Sequence, residues 1–124
     1  MSYSCVRKGG IIPIEASVDL SQGQLVKLVA DKAAVCTASD EPFGVATEAF
    51  LAGEQASIAI AGAVDGTVWL VADGVIARGA KVKPAASGRA ASATTGLIVG
   101  RALEAATAQG ELIECALLTP VTVA

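Results

Sequence analysis

Phe43–Glu54 reads FGVATEAFLAGE, and Val99–Glu111 says nearly the same thing again, VGRALEAATAQGE. Gly44, Ala46, Glu48 and Ala49 meet Gly100, Ala102, Glu104 and Ala105 at an offset of 56. One inserted residue later, Gly53 and Glu54 meet Gly110 and Glu111 at an offset of 57. The match also runs backwards, because Gly23, Val26 and Lys27 stand 56 residues before Gly79, Val82 and Lys83. Between Leu20 and Ala49 nine of thirty positions repeat without a gap, and four of these are alanine pairs that an alanine-rich chain supplies by chance. The other five (Gly23, Val26, Lys27, Gly44, Glu48) carry the signal. Two copies are too few for a solenoid, so the reading is a duplicated half-domain closing on itself.

Working outward, the strand after each quoted stretch has the same phase. Ala56, Ile58 and Ile60 fall on one face by the period of two, and their partners are Ile113, Cys115 and Leu117, with Glu114 turned away. A buried sheet face needs this register in both copies. Phe43–Phe50 and Gln55–Ala63 read as a hairpin around Ala52-Gly53-Glu54. Ile11–Ala16 reads as an edge strand, because Pro13 has no N–H. Leu25–Ala30 and Val35-Cys36 flank a turn at Asp31-Lys32. Asp65-Gly66 turns the chain into Thr67–Ala72 (TVWLVA), a strand expected to join the copies, and Asp73-Gly74 turns it again. Ala80–Pro84, Arg89–Ser92, Leu97–Ala105 and Glu111–Leu118 repeat the order of the first copy, and Thr119–Ala124 is a short tail. Ala102–Ala108 has helix propensity, but its partner contains Thr47 and Phe50, so it is kept as strand. Short strands, glycine turns and no helical period predict an all-β barrel or sandwich.

The totals bound the function. A chain of 124 residues is one domain by length, with residues 1–10 as an N-terminal arm, 11–124 as a single β domain, and repeats at about 20–62 and 76–118. It is 53% hydrophobic but only 3% aromatic, which predicts a thin core in which backbones approach over small side chains. The mean hydropathy of +0.61 is high, yet no apolar run approaches the ~20 residues of a spanning helix. The N-terminus MSYSCVRKGG lacks the apolar centre of a signal peptide. The expectation is a soluble protein made in a cytoplasm, with no membrane partner. A net charge of −3 and the shortage of aromatics argue against a nucleic-acid partner.

Little chemistry is available. There is no histidine for acid–base work, no G-x-S-x-G elbow and no phosphate-binding loop. Glu48 and Glu104 could form a symmetry-related carboxylate pair, or could lie apart on outer faces in water. Cys5, Cys36 and Cys115 are too far apart for a metal motif and read as reduced thiols. The expectation is therefore no enzyme, no cofactor and no metal. Val29–Ala33 (VADKA) resembles the hairpin on which lipoyl and biotinyl carrier domains display a modified lysine, which would make Lys32 the modified residue; a solvated turn lysine is the other reading.

The order of short phrases resembles the capsid decoration, or head cement, proteins of tailed bacteriophages. It rests on a short arm, G-x-x-V strands at Gly23–Val26 and Gly79–Val82, F-G-V-A at Phe43–Ala46, and V-G-R-A-L-E-A at Val99–Ala105 before a glycine and a final strand. That resemblance implies a small, mainly β, tulip-like fold without catalytic activity. It implies a homotrimer on the outside of the mature head, clamping the major capsid protein after the shell expands. On that expectation Tyr3, Cys5, Val6, Arg7 and Lys8 of the arm meet the capsid, and Trp69 is a trimer contact unless it is buried in the monomer.

Overall fold

Residues 9–64 and 66–123 are described by a computed structural model. The first half supplies β1 (Ile11–Glu15), β2 (Leu25–Val29), β3 (Lys32–Val35), β4 (Gly44–Ala46) and β5 (Gln55–Ile60). The second supplies β6 (Val68–Val71), β7 (Lys81–Pro84), β8 (Ala90–Ser92), β9 (Gly96–Ala102) and β10 (Leu112–Val123), with a 3₁₀ turn at Ala86–Gly88 before β8. Each half folds into its own five-stranded sheet. The orders are β1-β5-β4-β2-β3 and β6-β10-β9-β7-β8, the same path taken twice. Every ladder is antiparallel, and the registers correspond. Val26 faces Val35 and Gly44, as Val82 faces Ser92 and Gly100. Ile14 faces Ala56, as Leu70 faces Ile113.

The repeated residues are those that shape the turns. Gly23 and Gly79 sit at φ of +83° and +87°, a region costly for any residue with a Cβ. Their N–H groups donate to the carbonyls of Ala46 and Ala102 at 2.9 and 2.7 Å. Glu54 accepts the Leu51 N–H at 2.6 Å, and its counterpart Glu111 accepts the Ala108 N–H at 3.0 Å. Glu111 also accepts the Thr107 N–H, and this bond first, then that from Ala108, holds its carboxyl below the ordinary range.

Each sheet curls until its two outer strands meet at one point. Parallel bridges join Ala16 to Ala33 and Ala72 to Ala90, and the Ser17 and Asp73 N–H groups donate to Ala33 and Ala90 at 2.9 and 2.8 Å. No ladder follows, so neither sheet closes, and the two form a sandwich. Inside the first curl lie Ile14, Ala16, Leu20, Val26, Ala46, Ala56 and Ile58. Their counterparts Leu70, Ala72, Ile76, Val82, Ala102, Ile113 and Cys115 fill the second. Leu25, Val45 and Ala59, out of phase with Val26, Ala46 and Ile58, project from the opposite face of the first sheet and join the second cluster. Hydrogen bonds tie the halves. Val71 donates to the Gly23 carbonyl at 3.1 Å, Gly88 to Cys36 at 2.9 Å, and the Gln24 side chain to Ser87 at 3.1 Å.

The barrel-or-sandwich expectation and the duplicated register hold. Ala56 and Ile58, Ile113, Cys115 and Leu117 are buried as phased, and Glu114 is exposed. Pro13 lies on the edge strand β1. Other expectations need correction. Thr67–Ala72 does not link the copies: its strand β6 opens the second sheet, as β1 opens the first. The expected strand Phe43–Phe50 shrinks to β4, because the chain leaves β5 after Thr47 to bridge Phe50 to Leu20. Likewise Leu97–Ala105 ends at Ala102, and Ala106 bridges to Ile76 without helix. The expected tail is mostly strand. After a bulge between Leu117 and Val121, β10 pairs again with β9 through Val123 and Gly96.

Candidate interaction surface

Trp69 stands on β6 opposite Glu114 and is 47% exposed, so it is not a core residue. It lines a groove of about 180 Å³ between the halves with Ile11, Val45, Ala59, Val64 and Val68. Ile11 is itself exposed, and Leu112, which lies against Gly23 in the turn before β2, is 40% exposed. Together these make an apolar margin at the start of the domain. The chain enters it through Gly9 and Gly10, both at positive φ. Gly10 accepts the Ile60 N–H at 2.8 Å, and a Cβ there would meet the Ala63 carbonyl. Gly10 thus lies beside Val64, at the Trp69 groove. The arm residues Tyr3, Cys5, Val6, Arg7 and Lys8 lie outside the described residues.

The other sequence candidates are not assembled into a site. Glu104 accepts the Glu114 N–H at 2.7 Å, a structural bond, while Glu48 is exposed in a loop and shares no partner with it. Lys32 pairs with Glu15 at 3.1 Å. The β2–β3 turn is made by Ala30 and Asp31, at φ of +50° and +66°, not by Asp31 and Lys32. Lys32 therefore begins a strand and is not offered at the tip. Cys36 and Cys115 are fully buried free thiols. Burial first, then the nearby carboxylates of Asp40 and Glu104 respectively, pushes both up to about 12. Among the described residues no group of His, Cys, Asp and Glu could hold a metal ion, and no helix is long and apolar enough to cross a membrane.

The described residues form two like sheets, with exposed side chains outside and small side chains within. The family model described as phage cement protein matches residues 6–117. The chain belongs to the phage cement protein family. Membership makes it a structural component of a bacteriophage virion. Among solved structures, the fold is similar to the N base of the head fiber gp8.5 of bacteriophage phi29. That likeness has a TM-score of 0.70 at 16% identity, covering 86% of this chain and 92% of that one. No curated protein matches the chain.

Sequence reasoning missed a basic face on the second sheet, formed by Lys81, Lys83 and Arg101, all exposed. The signal was present in the repeat. At the offset of 56, Leu25 becomes Lys81 and Val45 becomes Arg101. Comparing the copies for differences as well as for identities exposes it.

Proposed function

We propose that this protein binds the outer surface of the expanded phage head as a trimer and stabilises it by clamping neighbouring major capsid subunits. The observation that carries the reading is the family match along residues 6–117. The physical logic is mass action. A protein that binds only the expanded lattice stabilises that lattice by its free energy of binding. Three arms on one trimer raise the effective concentration of each for its site. The arm residues Tyr3, Cys5, Val6, Arg7 and Lys8 would add to a capsid loop as an extended strand, supplying main-chain hydrogen bonds. Trp69, exposed beside the root of the arm, is proposed as a trimer contact, since aromatic side chains are enriched at interfaces.

The test mixes purified protein with expanded and unexpanded heads of its own phage and measures co-sedimentation. Saturable binding to expanded heads, with greater resistance of those heads to heat, is expected. Equal affinity for both forms, or none for either, refutes the proposal. Nothing in the structure favours the carrier reading, and an unmodified mass at Lys32 is expected.

A further inference from the structure

The copies agree in their inner faces and differ on their outer ones. On the first sheet the outer side chains Leu25 and Val45 are buried against the second half. The corresponding positions of the second sheet carry Lys81 and Arg101, which are exposed and directly opposite each other in the β7–β9 register. Like charges facing across strands destabilise the pair. Lys83 projects from the same face two places along β7. Its counterpart Lys27 is neutralised by Asp40 at 2.8 Å, whereas the residue 56 places after Asp40 is Gly96. None of the ion pairs among the described residues includes Lys81, Lys83 or Arg101. The second half thus has three uncompensated cations on the face that the first half uses for packing.

The complementary charge is on the same chain. Residues 11–64 carry seven carboxylates against two lysines, a net of −5, whereas residues 66–123 carry four against five cations, a net of +1. Lys27 and Lys32 each hold one of those carboxylates, and the other five are exposed and outside any ion pair among the described residues; Asp19 and Glu54 accept backbone N–H groups, while Asp31, Glu41 and Glu48 do not.

We infer that the Lys81–Lys83–Arg101 face docks the acidic first half of a neighbouring copy, head to tail. A contact between two different patches is heterologous, and it forms a ring when its rotation closes. This assigns surfaces to the trimer proposed above and rests on that reading. Opposite charges brought together favour this contact and like charges oppose it, and the apolar margin at Trp69 and Leu112 borders the same sheet.

The experiment is sedimentation equilibrium of the full chain at about 50 and 500 mM salt, where screening changes severalfold. Wild type is compared with K81E/R101E and with the milder K81Q/R101Q, each checked for native circular dichroism. The expected result is a wild-type trimer whose dissociation constant rises at least about tenfold at high salt, and charge-reversed chains that stay monomeric where wild type is trimeric. K81Q/R101Q should fall between them, and it keeps the test valid if the double reversal does not fold. A variant trimer as tight as wild type overturns this inference and leaves the trimer reading standing. Wild type that is monomeric both in solution and on heads overturns both. Intact variant trimers that no longer bind heads overturn it too, because the acidic partner is then on the shell.

Discussion

Replacing Gly44 by alanine gives the sharpest test of the packing. A Cβ built on Gly44 lies 2.2 Å from the Ala59 carbonyl oxygen and 2.8 Å from a methyl of Ile58. Real contacts of this kind do not fall under 3.0 Å, so β4 and β5 must separate by at least 0.8 Å. β4 has only three residues, paired on one side to β2 and on the other to β5, and it cannot move away from one without straining the other. Losing one or two ladder hydrogen bonds, at about 1 kcal/mol each, with the accompanying backbone strain of about 1–3 kcal/mol, gives a loss of about 2–5 kcal/mol. Against this, alanine restricts the unfolded chain and returns about 0.4–1 kcal/mol. The net is destabilisation. Gly74→Ala is the matched control. It has no left-handed φ and nothing within 4 Å of the added Cβ, so only the unfolded-state gain of about 0.4–1 kcal/mol remains. Urea unfolding at one fixed protein concentration, with the midpoint shift multiplied by a common slope, reads both. A G44A protein within about 0.5 kcal/mol of wild type, a surface-like value, refutes the strand contact and the register behind it.

Other outcomes follow from the same structure. Ile58→Ala and Ile113→Ala, both in cores walled by backbone and small side chains, should each lose about 2–5 kcal/mol by urea unfolding. Asp40 is held down to about 2, first by the hydrogen bond from Lys27 and then by Thr37. Its folded value lies below the unfolded one, so its contribution is present above about pH 4 and lost as pH falls toward 2; Asp40→Asn should flatten that part of a melting-temperature profile. Native protein at pH 8 should leave Cys36 and Cys115 unlabelled by a thiol reagent until denaturant is added, because both stay protonated and buried. Trp69, the single tryptophan, should show solvent-exposed emission in the monomer and reduced acrylamide quenching in the trimer.

The inner faces were legible because they obey a period of two in both copies, and Ile58 and Ile113 could be phased from sequence alone. The turns were legible because Gly23 and Gly79, at positive φ, and the capping carboxylates Glu54 and Glu111 repeat. The start of the second copy was not legible. Thr67–Ala72 shares little with Ile11–Ala16 beyond alternation, since an edge position tolerates proline in one copy and tryptophan in the other. Strand lengths failed where bridges at Phe50 and Ala106 turn backbone away from the ladder, a tertiary effect with no local signature. The basic face escaped notice because charges on short strands read as ordinary solvated positions until the counterpart residues prove to be buried.

Pro13 has a consequence for the free edge of the first sheet. The free side of β6 is partly capped by the first half, where Val71 gives its N–H to Gly23. At the matching positions of β1 the counterparts of Trp69 and Val71 are Pro13 and Glu15. An imino ring that has no hydrogen to give, and a carboxylate already held by Lys32, make a poor landing place for a stray strand. The exposed lip of β1 thus resists the edge-to-edge strand pairing by which sheet proteins grow into fibres.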